Sequence, residues 1–338
     1  MKNKNIITFD IHHKEKVINI SGLNFQISEH NILYLHYVHN HSFSHQLLKK
    51  IFLFLNDLYT DYNFWWIEYM EFTSPNAKRI GDIIEVFEEI GLSNKLKFFD
   101  NNLKKTNFFK NGYLKGVPTM FGFTANHSLE IQKRTFNKKF ICLNRVDREH
   151  RKIIFDYLNE NYKNESYLSY VPQEENNPLR VVLDDPEISK IGNLENAFTS
   201  PYQLTSFCNV VNETLSLNDF VHITEKIDKC FSAGQPFIIN AGPHYIKYLK
   251  KYGFKTFDKW WDESYDEEID FNQRIKKIKK TIDYIASFSI EKCEEIYTEM
   301  IPYLLHNQNL CKEFSNSIWH LPKWDRIGIE MIDKKTSI

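Results

Sequence analysis

Val221-His222-Ile223-Thr224-Glu225-Lys226-Ile227 puts a hydroxyl, a carboxylate and an ammonium on consecutive residues, where a loop gives way to a helical pattern. A helix start carries free backbone N–H groups and a partial positive charge, so it favours anions. There Lys226 supplies a full charge to a phosphate and Glu225 can accept both hydroxyls of a ribose, a set suited to a nucleoside diphosphate. The same tripeptide also fits an ordinary helix start, with Thr224 as N-cap and two solvated charges in the first turn. Spacing alone leaves both readings open.

Other reactive side chains are less ordered. His36, His39, His41 and His45 share a short stretch, but no cysteine or carboxylate stands at firm ligand spacing beside them, and on a strand His36 would face away from His39 and His41. Asp184-Asp185 before Pro186 fits a turn better than a cation site, so no metal is expected. Glu68 and Glu71 lie among Trp65, Trp66, Tyr69 and Phe72, surroundings that raise a carboxylate pKa and can stack on a sugar ring. Glu68 is the candidate general base; an amphipathic segment with its acids in water is the alternative. Trp260-Trp261 either closes over a ligand or packs in a core.

The elements that must position these residues alternate. Phe140–Leu143 reads as a strand, Asn144–Asp147 as a loop and Arg148–Leu158 as a helix carrying Ile153, Ile154, Tyr157 and Leu158. Phe207–Val211 reads as a strand, Glu225–Ser232 as a helix stopped by Gly234, and Phe237–Asn240 as a strand. Pro243 opens a helix over His244–Tyr252, closed by Gly253. Repeated βα steps imply a parallel sheet with ligands at its carboxyl ends. The acidic, Asn-rich stretch from Glu160 to Asn177 reads as a surface excursion.

Earlier, Lys16–Ile20 and Ile32–Tyr37 read as strands, Gln46–Leu58 and Ile80–Ile90 as helices, and residues 101–139 as loops and an interdomain link. Two helical patterns, Phe271–Phe288 and Glu291–Leu305, follow. The expected division is an α/β domain over residues 1–135, a second over 136–268, and C-terminal helices over 269–338 packing across both.

The totals exclude several classes. Lys plus Arg at 43 against Asp plus Glu at 44 leaves a net charge of −1, which disfavours a dedicated duplex binder. Five scattered cysteines without a CxxC pair fit reduced thiols. No apolar run approaches the roughly 20 residues of a membrane span, and the first ten residues lack a signal-peptide core, so a cytoplasmic location is expected.

Four blocks together resemble the donor domain of α-1,3/4-fucosyltransferases. Phe140–Asn144 and Arg151–Asn159 resemble its first strand and helix. Asn212-Glu213-Thr214 is similar to its Glu-Asn region, His222–Lys226 to its aromatic-Val-Thr-Glu-Lys signature, and Phe231–Pro243 to the strand that follows. The resemblance implies a GT-B-like enzyme: two Rossmann-like domains facing a cleft, the first on the acceptor side, with C-terminal helices. It implies inverting, metal-independent sugar transfer from a nucleotide-diphosphate donor, a GDP-sugar by analogy, to a glycan hydroxyl, without a further cofactor.

Residue by residue, the resemblance puts Arg151 and Lys226 on the two phosphates and Glu225 on the ribose, with Asn144, Glu213, His222 and Thr224 completing the donor site. The implied catalytic set is Glu68, Arg151 and Lys226. His222 departs from the usual tyrosine. Asn212-Glu213-Thr214 is an approximate match, so Glu213 either touches the sugar or caps a turn. Arg145 and Arg148 share the loop before Arg151 and either touch phosphate or remain solvated. Two rivals stay open. One is a phage-type or virus-type transferase acting on modified nucleic-acid bases, which needs a basic face that Lys104, Lys105, Lys110 and Lys115 supply only modestly. The other is a nucleotide-binding or glycan-binding module without catalysis.

Overall fold

The computed structural model describes residues 8–12, 15–20, 23–27, 32–37, 45–58, 60–61, 63–68, 83–100, 113–116, 128–144, 147–170, 201–216, 218 and 220–318. The chain divides into two compact units, Met1–Thr119 with His320–Ile338, and Met120–Trp319.

The first unit is built on a seven-stranded sheet in sequence order: β1 Thr8–His12, β2 Glu15–Ile20, β3 Leu23–Ile27, β4 Ile32–Tyr37, β5 Asn63–Glu68, β6 Leu96–Asp100 and β7 Tyr113–Gly116. The strands β1 to β4 are antiparallel, and β4 to β7 are parallel. The antiparallel half departs from a fully parallel Rossmann-like sheet. Its connections are only two to four residues long, enough for hairpins and too short for crossovers.

Helix α1, His45–Leu58, has the expected stripe, with Leu48, Ile51, Phe52 and Leu55 buried. Helix α2, over residues 83–89, buries Ile83, Val86 and Phe87, and Phe52 meets Phe87 with ring centroids 4.2 Å apart. The expectation of unbroken loop over residues 101–139 is corrected by β7 and by the next strand, which begins at Lys138.

The second unit carries a four-stranded parallel sheet in the order β11-β10-β8-β9. Its strands are β8 Lys138–Asn144, β9 Ser166–Tyr170, β10 Ser206–Asn212 and β11 Phe237–Asn240. Here β9 lies inside the segment expected as a surface excursion. Ser166, Leu168 and Tyr170 are buried on one face, a period-two signal that serine and tyrosine hide from an apolar count. Around the sheet stand α3 Glu149–Asn161, α4 Glu225–Ala233, α5 Tyr245–Lys251, α6 Phe271–Ala286 and α7 Ile290–Ile318.

Central β10 is buried along nearly its whole length, as a strand covered on both faces must be. Gly234 ends α4 at φ 58°; a Cβ there would lie 2.4 Å from Ile131 Cγ1, so both conformation and space require glycine. Helix α6 packs on β11 and α3, and α7 on α4, β8 and β10, so within this unit both helices cover its own core. Pro302 lies inside α7, which runs well beyond the Leu305 expected as its end.

The strand order matters for function. Chain order places β9 on one side of β8 and returns to place β10 on the other, so the direction of winding reverses between β8 and β10. Open parallel sheets bind ligands in the crevice outside the carboxyl ends at such a reversal. Among the described residues, no helix is long and apolar enough to cross a membrane.

Candidate functional site

The segments leaving β8 and β10 are neighbours because their strands are paired. From the first turn of α3, Arg151 Nε and Nη2 each donate to the Glu213 main-chain carbonyl at 3.1 Å. His150 Nε2 reaches the same oxygen at 2.9 Å, and Arg148 Nη1 donates to the next carbonyl, that of Thr214. From α4, Lys226 Nζ lies 3.2 Å from Thr214 Oγ1, 3.2 Å from Thr224 Oγ1 and 3.0 Å from Glu225 Oε1. Arg151 and Lys226 therefore come from two separate βα connections and meet on adjacent residues, Glu213 and Thr214. Half-buried Arg148 is bound here and is not a solvated loop charge.

Glu213 organises this meeting from beneath. It is 0% exposed, and its carboxylate accepts from Thr224 Oγ1 at 2.6 Å, Thr224 N at 3.3 Å, Thr214 N at 3.2 Å and the Tyr245 hydroxyl at 2.5 Å. Burial, and then the Glu213 charge, push the Tyr245 hydroxyl well above its ordinary pKa, so it stays a donor. Both Glu213 oxygens are engaged from within the fold, an arrangement that shapes the turn and does not reach outward to a sugar.

Thr224 is the N-cap of α4, its hydroxyl accepting from Lys226 N at 3.3 Å while donating to Glu213. Burial raises the Glu225 pKa, but the adjacent Lys226 charge and hydrogen bond outweigh it and hold the carboxylate below its usual range. His222 is buried, with Phe220 edge-on at 5.9 Å.

Asn144 closes β8, and the same residue type closes β10 and β11. Asn144, Asn212 and Asn240 are buried and joined, Asn240 Nδ2 to Asn212 Oδ1 at 2.6 Å and Asn212 Nδ2 to Asn144 Oδ1 at 3.0 Å. Asn212, Asn240, His150 and Arg274 were not among the expected site residues. Burial, followed by the charges of Arg151, Arg148 and Arg274, lowers the His150 pKa to about 4, so at neutral pH it is an uncharged donor to the Glu213 carbonyl.

Arg274, 1% exposed on α6, donates to the carbonyls of Glu268 and Ser216 at 2.7 and 3.3 Å and ties the segment after β10 to the helix. Its legible signal was a charge on the apolar stripe with Ile275, Ile278, Ile282 and Ile285. The asparagines announced themselves only as three strands ending in the same residue.

Several other residues resolve differently. Trp260 and Trp261 are buried against Phe257, the packing alternative of the two readings. His45 pairs with Glu89 at 2.7 Å on the surface, and among the described residues no three His, Cys, Asp or Glu side chains are grouped to hold a metal ion. Glu68 is the last residue of β5; its side chain, and all of Glu71, Arg145, Asp184, Asp185, His39, His41, Lys104, Lys105 and Lys110, lie outside the described residues. A cavity of about 440 Å³ lined by Arg134, Glu291, Glu294 and Glu295 borders the segment ahead of the amino end of β8, away from the carboxyl ends.

No family model matches the chain, and no curated protein matches it in sequence. A solved structure described as "Crystal structure of GtfA/B complex" is similar over 92% of this chain and 70% of that one, with 11% identity and a TM-score of 0.37. A likeness that loose leaves function to be argued from the site itself.

Proposed function

We propose that the chain is a glycosyltransferase, with the diphosphate of a nucleotide-sugar donor seated at the Glu213-Thr214 turn. The supporting observation is the meeting of Arg148, Arg151 and Lys226 on that dipeptide, at the point where strand order reverses. Transfer joins the acceptor oxygen to the sugar's anomeric carbon and breaks that carbon's bond to the diphosphate. The bonding electrons move onto the departing phosphate oxygen, and the acceptor's proton goes to a base. Charge grows on the leaving oxygen only as the bond breaks, so Arg151 and Lys226 stabilise the transition state more than the bound donor and do the work of a cation.

In this reading Glu225 holds the ribose, the reaction inverts the anomeric centre without a metal, and the arrangement is GT-B-like and fucosyltransferase-like. Residues 1–135 form the acceptor side and supply Glu68 as the base. GDP is the carrier by resemblance, and the location is cytoplasmic. A thermal-shift screen of GDP, UDP, CDP and NAD tests it: a ligand at one hundred times its Kd stabilises by about 2.7 kcal/mol. A nucleoside diphosphate should give the largest shift, and absence of any nucleoside-diphosphate shift would overturn the proposal.

A further inference from the structure

The hydrogen bonds along the carboxyl ends of β11, β10 and β8 have a direction. Asn240 Nδ2 lies 2.9 Å from the His150 main-chain oxygen and 2.6 Å from Asn212 Oδ1. A carbonyl can only accept, so that end of Asn240 is its NH₂. Every later amide is then fixed in turn. Asn212 faces Asn240 with its oxygen and Asn144 with its NH₂, and Asn144 accepts with its oxygen.

The Asn144 NH₂ is left at the end of the row, beside the switch-point crevice, with Cys142 Sγ at 3.4 Å as its partner. Burial pushes the Cys142 thiol up to about 12, so it stays neutral and is a weak acceptor, and it already receives Asn212 Nδ2 at 3.2 Å. All three amides are at most 4% exposed, and Asn240 Oδ1 has no partner. A row built for stability alone would not leave a buried acceptor unmatched at one end and a donor on a thiol at the other.

We propose that this row of amides sets the hydrogen-bonding polarity of the donor site: Asn144 presents a fixed N–H donor that receives a phosphate oxygen, and Asn212 and Asn240 are positioning residues. The proposal rests on the nucleotide-sugar reading above. A phosphate oxygen suits the position because it only accepts, and because the residue after Asn212 is Glu213, where Arg151 bonds.

The test uses the full chain with calorimetric titration of GDP and of inorganic pyrophosphate. Asn144→Asp keeps an oxygen for Asn212 but puts a carboxylate oxygen in place of the NH₂; Asn144→Ala removes the donor without adding charge. Each should weaken both ligands by about tenfold to a hundredfold, the worth of one hydrogen bond to a charged group. Asn240→Asp cannot donate to the His150 carbonyl and reverses the row, so it should weaken pyrophosphate comparably. That loss should vanish when Asn144 is already alanine, a dependence that a general structural defect would not show.

Wild-type affinity in both Asn144 variants, or an Asn240→Asp loss that persists beside Asn144→Ala, overturns the proposal. If pyrophosphate binds and follows this pattern while no nucleoside diphosphate binds better, the amide row stands and the nucleotide-sugar reading falls. If the wild-type chain binds neither ligand, both fall.

Discussion

Two helix starts at the carboxyl end of the second unit's sheet meet the same electrostatic problem in different ways. Helix α5 begins after His244, which has a positive φ of 73° and no capping side chain, and its free N–H groups are taken by a carboxylate: Asp266 accepts from Ile246 N at 2.8 Å and Lys247 N at 3.0 Å. Helix α4 begins at Thr224, whose neutral hydroxyl reaches one N–H at 3.3 Å, with Lys226, Arg148 and Arg151 gathered on the turn beside it. One start has its anion built into the chain. The other gathers three cations, Lys226 paired with the Glu225 carboxylate at 3.0 Å and Arg148 and Arg151 held on main-chain carbonyls, which an incoming phosphate outcompetes by charge. The contrast is that one of two similar βα turns carries a carboxylate on its free N–H groups and the other a cluster of cations.

Removing the built-in anion should have the largest effect. Asp266→Ala leaves two N–H groups of α5 without a charged acceptor and should lower stability by about 3 kcal/mol in denaturant unfolding, with nucleotide affinity retained. If Asp266→Ala instead removes ligand binding and spares stability, the assignment of the two starts is reversed.

The turn after β10, on which His150 of α3 also bonds, should be the acid-sensitive one. His150 has a folded pKa of about 4 against an ordinary 6.5, so the unfolded chain takes up its proton first. That contribution is fully present above about pH 6.5 and is lost as pH falls toward 4, by at most about 3 kcal/mol. His150→Gln, which keeps a donor for the Glu213 carbonyl, should flatten the stability profile in that window. An unchanged slope would show that other groups cause it.

Lys226→Ala should weaken a nucleoside diphosphate by roughly 2 kcal/mol in titration calorimetry while moving apo stability by less than about 1 kcal/mol, because the ammonium and its ion-pair partner Glu225 are both half-exposed to solvent screening. Thr224→Ala is the mildest: loss of the cap should cost about 1 kcal/mol of stability. A Thr224→Ala penalty well above that would mean that the Glu213 hydrogen bond, and not the cap, is its main role.

Much of the second unit was legible where the determinants are local. Thr224 and Gly234 bound α4 as their capping chemistry requires, and Phe237–Asn240 is a strand as read. The hidden strand β9 was not legible, because serine and tyrosine occupy its inward positions. Glu213 read equally as sugar contact or turn cap; only its 0% exposure and its four donors show it turned inward. The tryptophan pair gave no sign of which side of the core it would take, since packing against Phe257 is set by the fold around it.

By itself the sequence determined the caps of α4 and the strands β2, β4, β8, β10 and β11, because capping and periodicity act over a few residues. The tertiary structure alone decided that β8 lies beside β10, and hence that Arg151 and Lys226 share one turn and that three strand-end asparagines form a directed row. Strand pairing joins residues about seventy positions apart, as between Cys208 and Phe140, and no local interaction encodes which strands become neighbours.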